Sequence, residues 1–376
     1  MAEFELGREY ELPREDAANR AVAGILKKRI AGDFEGQFSA GQGVPVAVRD
    51  AHPSHHAFVT ARVIVDPDES LRATPLCGVF RQPGREYRAF IRFSASLPVK
   101  GPDTRSDLRG LAIKLLDVEG EKALETDDTS SQDFLLASSK RFFVRNAIDY
   151  LDFTVAFERG RLRLFWYFAG TRRRWSDGLA LARPLFPRPA AFRLDSLLSA
   201  DYFSQTPYRW EGTAVKYRVQ ASSATRAVVR RFTRSADTPH YLRDTLMRHL
   251  ASENVLLDFS VQFQKHAGRQ PIEDPMVIWN ERECPFHKVA TIVIPRQDFH
   301  NTANWGWAEH ISYTPWRSLA VHRPLGGINR TRRMVYEEIS ALRRRLNRVA
   351  ASEPTARDWD ALAIGAGVES GQLQLT

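Results

Sequence analysis

Apolar and polar residues alternate with a period of two along four segments in the first half of the chain. These are Phe58–Val65, Tyr87–Ser94, Gly110–Leu116 and Phe134–Ser138, each of which predicts a β-strand. A second β series follows at Ala214–Gln220, Asn254–Gln264 and Lys288–Pro295. The stretch 146–205 between them mixes aromatic residues, arginine and Pro184, Pro187 and Pro189, and reads as helices and long connections wrapped around a sheet. Helical period appears at both ends. One short helix is predicted around Asp16–Ile30, within an N-terminal arm that closes on the glycine-rich Phe38–Val44. Near the other end Val335, Ile339, Leu342, Leu346 and Val349 recur at spacings of 4, 3, 4 and 3, a buried helical stripe within 329–349. Two strand groups with helices between and after them predict an α+β fold: an antiparallel β-barrel of about eight strands with an N-terminal arm, wrapping segments and C-terminal helices. The expected boundaries are an arm at 1–45, a barrel with wrapping helices at 46–325, a separate helix at 326–350 and a flexible Gly/Ser/Ala-rich tail at 351–376.

Composition narrows the class. With 376 residues, 43% hydrophobic and 26% charged, the chain lies in the range of globular proteins and is neither disordered nor collagen-like. Only Cys77 and Cys284 are present, so a disulfide framework is excluded and a reducing, cytoplasmic setting is expected. The first 20 residues are acidic and do not read as a signal peptide. Leu162–Gly170, the most apolar window, is too short to span a membrane, for which ~20 residues are needed. The 54 Lys and Arg against 45 Asp and Glu leave a charge of +9, gathered in part at Arg172–Arg174, at Arg226, Arg230 and Arg231, and between Arg330 and Arg348. The first two clusters read as solvated surface.

The third cluster has a pattern. Arg332, Tyr336 and Arg343 stand at i, i+4 and i+11, close to whole turns, so two arginines bracket a tyrosine on one helix face. A guanidinium four residues from a tyrosine favours its phenolate, the form that ligates ferric haem. Taken by itself the helix is read more simply as a basic amphipathic element for acidic lipid or RNA. Two further segments change the balance. An Arg-x-x-His occurs at Arg49–His52 just before the first strand, and Arg92-Phe-Ser94 is followed by Asp107-x-Arg-Gly-x-Ala-x-Lys114. In this order and spacing, with Arg332-x-x-x-Tyr336, they resemble the catalase family from about Val48 to Arg343. Phe259–Gln264 and Ile272–Trp279 resemble its smaller catalase-related members, which include peroxidases and fatty-acid hydroperoxide enzymes such as allene oxide synthase.

The resemblance implies a haem b enzyme cleaving a peroxide O–O bond. His52 would be the distal base and Ser94 the partner of its other ring nitrogen. Tyr336 would be the iron ligand with Arg332 beside it, and Arg49, Arg92 and Arg343 would pair with the propionates. Phe142 or Phe143 would stack on the haem. The family's distal asparagine is missing: ungapped extension from Phe134 puts Thr129 there, with Ser130 and Gln132 as neighbours. This departure leads to the expectation that organic hydroperoxides, or hydrogen peroxide with an organic reductant, are preferred to dismutation. The alternatives are a small true catalase and a non-catalytic haem carrier or sensor; a homo-oligomer is a further expectation of the family. The remaining chemistry reads as structural. His52, His55 and His56, or Cys284 with His287, lack the ligands for zinc, Gly41-Gln-Gly43 lacks the context of a nucleotide loop, and His300, His310 and His322 are expected at the surface or behind the site, with Trp279, Trp305, Trp307 and Trp316 in packing roles.

Overall fold

The computed structural model describes residues 5–40, 44–66, 76–97, 101–105, 107–169, 194–232 and 238–368. Arg172–Arg174, the three prolines at 184–189, Gly41-Gln-Gly43, Ser106 and 369–376 lie outside them. The alternating segments form β1 (His55–Val65), β2 (Glu86–Ala95), β3 (Arg109–Leu116) and β4 (Ser131–Ala137), and the second series forms β7 (Thr213–Ala221), β8 (Val255–Phe263) and β9 (Phe286–Ile294). Two short strands missing from the sequence reading complete the set, β5 (Tyr202–Phe203) and β6 (Tyr208–Trp210). The strands are antiparallel in the order β5-β4-β3-β2-β1-β9-β8-β7-β6, and β5 also pairs with β7. That pairing closes eight of the strands into a barrel and leaves β6 beside β7.

Alternation places Val59, Ala61 and Val63 of β1, Ile91 and Phe93 of β2, and Phe259 and Val261 of β8 in the barrel core. There Phe80 and Phe134 pack on Phe259 at 5.2 and 4.9 Å between ring centres. Part of the outward side of β1 to β3 is buried as well. Phe58, Phe90 and Leu116 are covered by the Thr302–His310 helix and by the Ala356–Gly365 helix, through Ala308, Trp359 and Leu362. This revises the expected flexible tail: a capping box at Thr355 and Asp358 starts a helix whose Trp359 indole donates to the Ala89 carbonyl at 3.0 Å. His322, expected at the surface or behind the site, stands fully buried in the barrel core against Phe80 and Trp210, in space that Gly78 leaves open. Both cysteines are buried and unbonded to each other.

The N-terminal helix runs over Glu15–Ser39, beyond the predicted Ile30. Its Val22, Leu26 and Ile30 pack against Val335, Ile339 and Leu342 of the Gly327–Asn347 helix, the stripe read from the sequence. Arg330 fastens the start of that contact, binding Glu9, Glu15 and Glu273 at 2.5–2.9 Å. Among the described residues no helix is long and apolar enough to cross a membrane.

Candidate functional site

A cavity of about 550 Å³ lies between the β2–β4 side of the barrel, the Gly327–Asn347 helix and the Ala147–Glu158 and Arg161–Ala169 helices. This is within the usual span of cofactor and small-molecule sites. His52 lines it from the segment before β1, in a left-handed backbone conformation with φ 60°. Arg92 holds that backbone by donating to the His52 carbonyl at 2.9 Å. The ring is fixed by its Nδ1, 2.9 Å from Ser94 Oγ on β2. Across the sheet Ser94 pairs with Gly110 of β3, where a Cβ would lie 2.5 Å from His52 Nδ1 and Cε1. The Nδ1–Cε1 side of the imidazole therefore occupies space that only glycine leaves open. Burial, then the charges of Arg92, Arg332 and Arg49, lower the His52 pKa to about 3. The ring is neutral at physiological pH, and Nε2 is the nitrogen left for a ligand.

Tyr336 enters the cavity from the Gly327–Asn347 helix, and Arg332 Nη2 donates to its phenolic oxygen at 3.4 Å. Asn329 Oδ1 and Thr206 Oγ1, at 3.2 and 3.3 Å, hold the other end of the same guanidinium. Burial opposes the charge of Arg332, but Tyr336 and Tyr208 outweigh it and raise its pKa above the ordinary value.

Arg49, Arg92 and Arg343 gather at a third side of the cavity. Their donors go mainly to carbonyls at the end of the Thr302–His310 helix: Ala308 accepts from Arg49 and Arg92 at 3.2 and 3.1 Å, Ile311 from Arg49 and Glu309 from Arg343. The open carbonyls and negative pole of a helix C-terminus suit such donors. Glu309 is the carboxylate of the group, 2.9 Å from Arg343 and 3.9 Å from Arg49. Two of the three guanidiniums thus pair with this carboxylate, and Arg92 is bonded to carbonyls alone. Burial lowers the pKa of Arg92 well below the usual value, lowers that of Arg49, and, reinforced by the Arg49 charge, lowers that of Arg343 to about 10. Such a site favours anionic groups. Tyr313 lines the same side, and its buried hydroxyl has no hydrogen-bond partner among the described residues.

Phe142 and Phe143 stack at 4.6 Å between ring centres and line the cavity, continued by Phe153, Phe157, Leu164 and Phe168. Every site residue expected from the sequence is therefore in this cavity except Thr129. Its hydroxyl donates to Asp127 Oδ1 at 2.6 Å, in the turn before β4, and it does not line the cavity. Ungapped counting failed because β4 turns Leu135 and Ala137 toward the cavity and leaves Thr129 bound within its own turn. Gly110, Glu309 and Tyr313 were not assigned from sequence. Gly110 carried a signal, since a glycine inside an alternating strand marks a close approach; Glu309 and Tyr313 carried none.

No protein-family model and no curated protein sequence matches the chain. Among solved structures it is similar to a fungal catalase, with TM-score 0.62 and 16% identity over 82% of this chain and 61% of that one. Catalase A from Saccharomyces cerevisiae gives TM-score 0.59 and 16% identity over 82% and 63%. A bacterial catalase gives 0.56 and 16% over 90% and 65%. The fold is catalase-like. The chain spans less than two thirds of the length of each of these three catalases. Within the catalase-like fold, a neutral histidine, a tyrosine paired with arginine, a group of buried cations and aromatic walls face one space, which fits a large flat apolar group with an anionic edge.

Proposed function

We propose that the protein is a haem-dependent peroxidase or organic-hydroperoxide-metabolising enzyme of the catalase-related type. The observation that carries this reading is the convergence of His52–Ser94, Tyr336–Arg332 and the Arg49–Arg92–Arg343 group on one cavity. Tyr336 would hold the iron of haem b, the three arginines its propionates, and Phe142 or Phe143 one face of the ring. The unpaired Tyr313 hydroxyl adds a donor toward the same anions. Haem b, when bound, supplies the iron at which a peroxide O–O bond is cleaved. With Nδ1–H donated to Ser94, His52 Nε2 takes the proton from an incoming hydroperoxide and returns it to the departing oxygen. The neutral state of the ring suits it to this task.

Leu135 and Ala137 line the cavity, whereas Thr129 does not. The wall is apolar, which favours the chain of an organic hydroperoxide at about 25 cal/mol per Å² buried over a second hydrogen peroxide. Oxygen release from hydrogen peroxide alone should accordingly be slow relative to organic hydroperoxide consumption. Reconstitution with haemin tests the whole reading: the protein should gain a Soret band, Tyr336→Phe should lose or shift it, and His52→Ala should keep it while losing peroxide cleavage by about 10²–10⁴-fold. Absence of haem uptake, or full activity of His52→Ala, would refute the assignment.

A further inference from the structure

The Arg161–Ala169 helix has two apolar faces. Leu164 and Phe168, one turn apart, line the cavity. On the other side Leu162, Phe165 and Trp166 stand at i, i+3 and i+4 and are 72%, 61% and 61% exposed. Phe38, Val44 and Val46 form another exposed apolar group, whereas residues such as Leu6, Ile278 and Ile364 stand singly, which is ordinary for a protein surface.

Cations predominate over the sequence of this helix and its flanks, although Asp152 and Glu158 of the preceding helix are exposed. Arg159 and Arg163 are exposed beside it, and from Arg159 to Ser176 the sequence holds six arginines and no Asp or Glu. The neighbouring Glu158 is engaged by Arg29 at 2.7 Å. A short helix with Trp, Phe and Leu on one side and arginines flanking it has the composition of an interfacial element, whose aromatic residues enter the headgroup boundary while cations attract acidic lipid.

From this placement we infer that the Leu162–Phe165–Trp166 face docks the protein on the surface of an anionic phospholipid bilayer. The partner is set by charge complementarity: a bilayer of zwitterionic lipid offers the apolar contact but not the countercharge. Because the inner face of the same helix lines the cavity, a lipid-derived hydroperoxide leaving the bilayer has only the thickness of one helix, about 10 Å, to cross. The substrate class rests on the proposed haem chemistry; the docking does not.

The test is flotation of the full chain with vesicles of phosphatidylcholine, with and without phosphatidylglycerol, at low and high salt. Wild type should float with the anionic vesicles only, and less as salt rises. The triple variant Leu162→Ser/Phe165→Ser/Trp166→Ser should lose at least about tenfold in partitioning, and Arg159→Gln/Arg163→Gln should lose most of the anionic preference. Anionic vesicles should also speed consumption of a fatty-acyl hydroperoxide by wild type and not by the triple variant, with hydrogen peroxide turnover unchanged. Equal flotation of wild type and triple variant, or none by either, overturns the inference. So does a wild-type dimer that the triple variant converts to monomer, which would assign the face to a second copy. Haem uptake is read on the same samples: its failure in wild type sinks the haem reading and leaves the flotation result standing.

Discussion

His52 is held by contacts that no single neighbour could provide. Its backbone is strained into the left-handed region, its carbonyl is fastened by Arg92, its ring is bonded to Ser94, and its Nδ1 and Cε1 fill the space left by Gly110. A left-handed backbone at a non-glycine residue costs of order 1–3 kcal/mol and persists only where surroundings enforce it. Gly110→Ala tests the most specific of these contacts. A Cβ 2.5 Å from the imidazole cannot be accommodated unless the ring moves, so the variant should keep its fold and haem uptake. Its hydroperoxide cleavage should fall at least about tenfold, because proton transfer depends on placement. Stopped-flow reaction of the haem-loaded variant with a hydroperoxide measures this, and unchanged rates would show that Gly110 does not position His52.

Among elements, the C-terminal segment differs most from its sequence. Lys114 of β3 and Asp133 of β4, both fully buried, pair at 2.7 Å. Glu353 reaches Lys114 at 2.9 Å and Arg317 at 2.7 Å, and Arg317 returns to Asp133 at 2.9 Å, closing a ring of four charges. Asp133→Ala leaves two cations facing one carboxylate and should lower unfolding free energy by about 3–5 kcal/mol in urea; a loss under about 1 kcal/mol would mean the ring contributes little. The sequence concealed this arrangement because ion pairs between residues 114, 133, 317 and 353 leave no periodic trace. Composition misled at 356–365 too, where Trp359, Leu362 and Ala363 recur at helical spacing among alanines and glycines. Seven strands were legible because each repeats its alternation over several residues. Two- and three-residue strands such as Tyr202–Phe203 and Tyr208–Trp210 cannot. Of the site, motif-borne residues such as Tyr336 and Arg92 could be read, whereas Glu309 and Tyr313 enter through tertiary contact alone.

For the molecule as a whole, the buried arginines oppose fold stability while favouring an anionic ligand. Any ligand that binds only the folded state at a hundredfold over its Kd adds about 2.7 kcal/mol. Arg343→Leu separates the two effects. It removes the repulsion with Arg49 together with the Glu309 pair, and the Ala47 carbonyl keeps its Asn347 donor at 3.0 Å. With these losses and gains opposed, the haem-free variant should melt close to wild type, while the rise in Tm on adding haemin shrinks. Calorimetry with and without haemin reads both; an undiminished rise would remove Arg343 from the anion site.

The barrel's closure has a kinetic consequence. β1 and β2 are joined along nine paired positions, but β5 meets β4 only at Ala137↔Phe203 and β7 at Tyr202↔Val219 and Phe203↔Arg218. A cylinder zipped by so few rungs has one seam where local unfolding is cheapest. Backbone amides of Tyr202 and Phe203 should exchange with solvent faster than those of β1 and β2, by routes that leave the rest of the sheet intact. Hydrogen exchange resolved by peptide would locate that opening, and equal protection of β5 and β2 would place it elsewhere. Since Ala137, at the seam, also lines the cavity, opening there would loosen one wall of the site while the rest of the sheet stays paired.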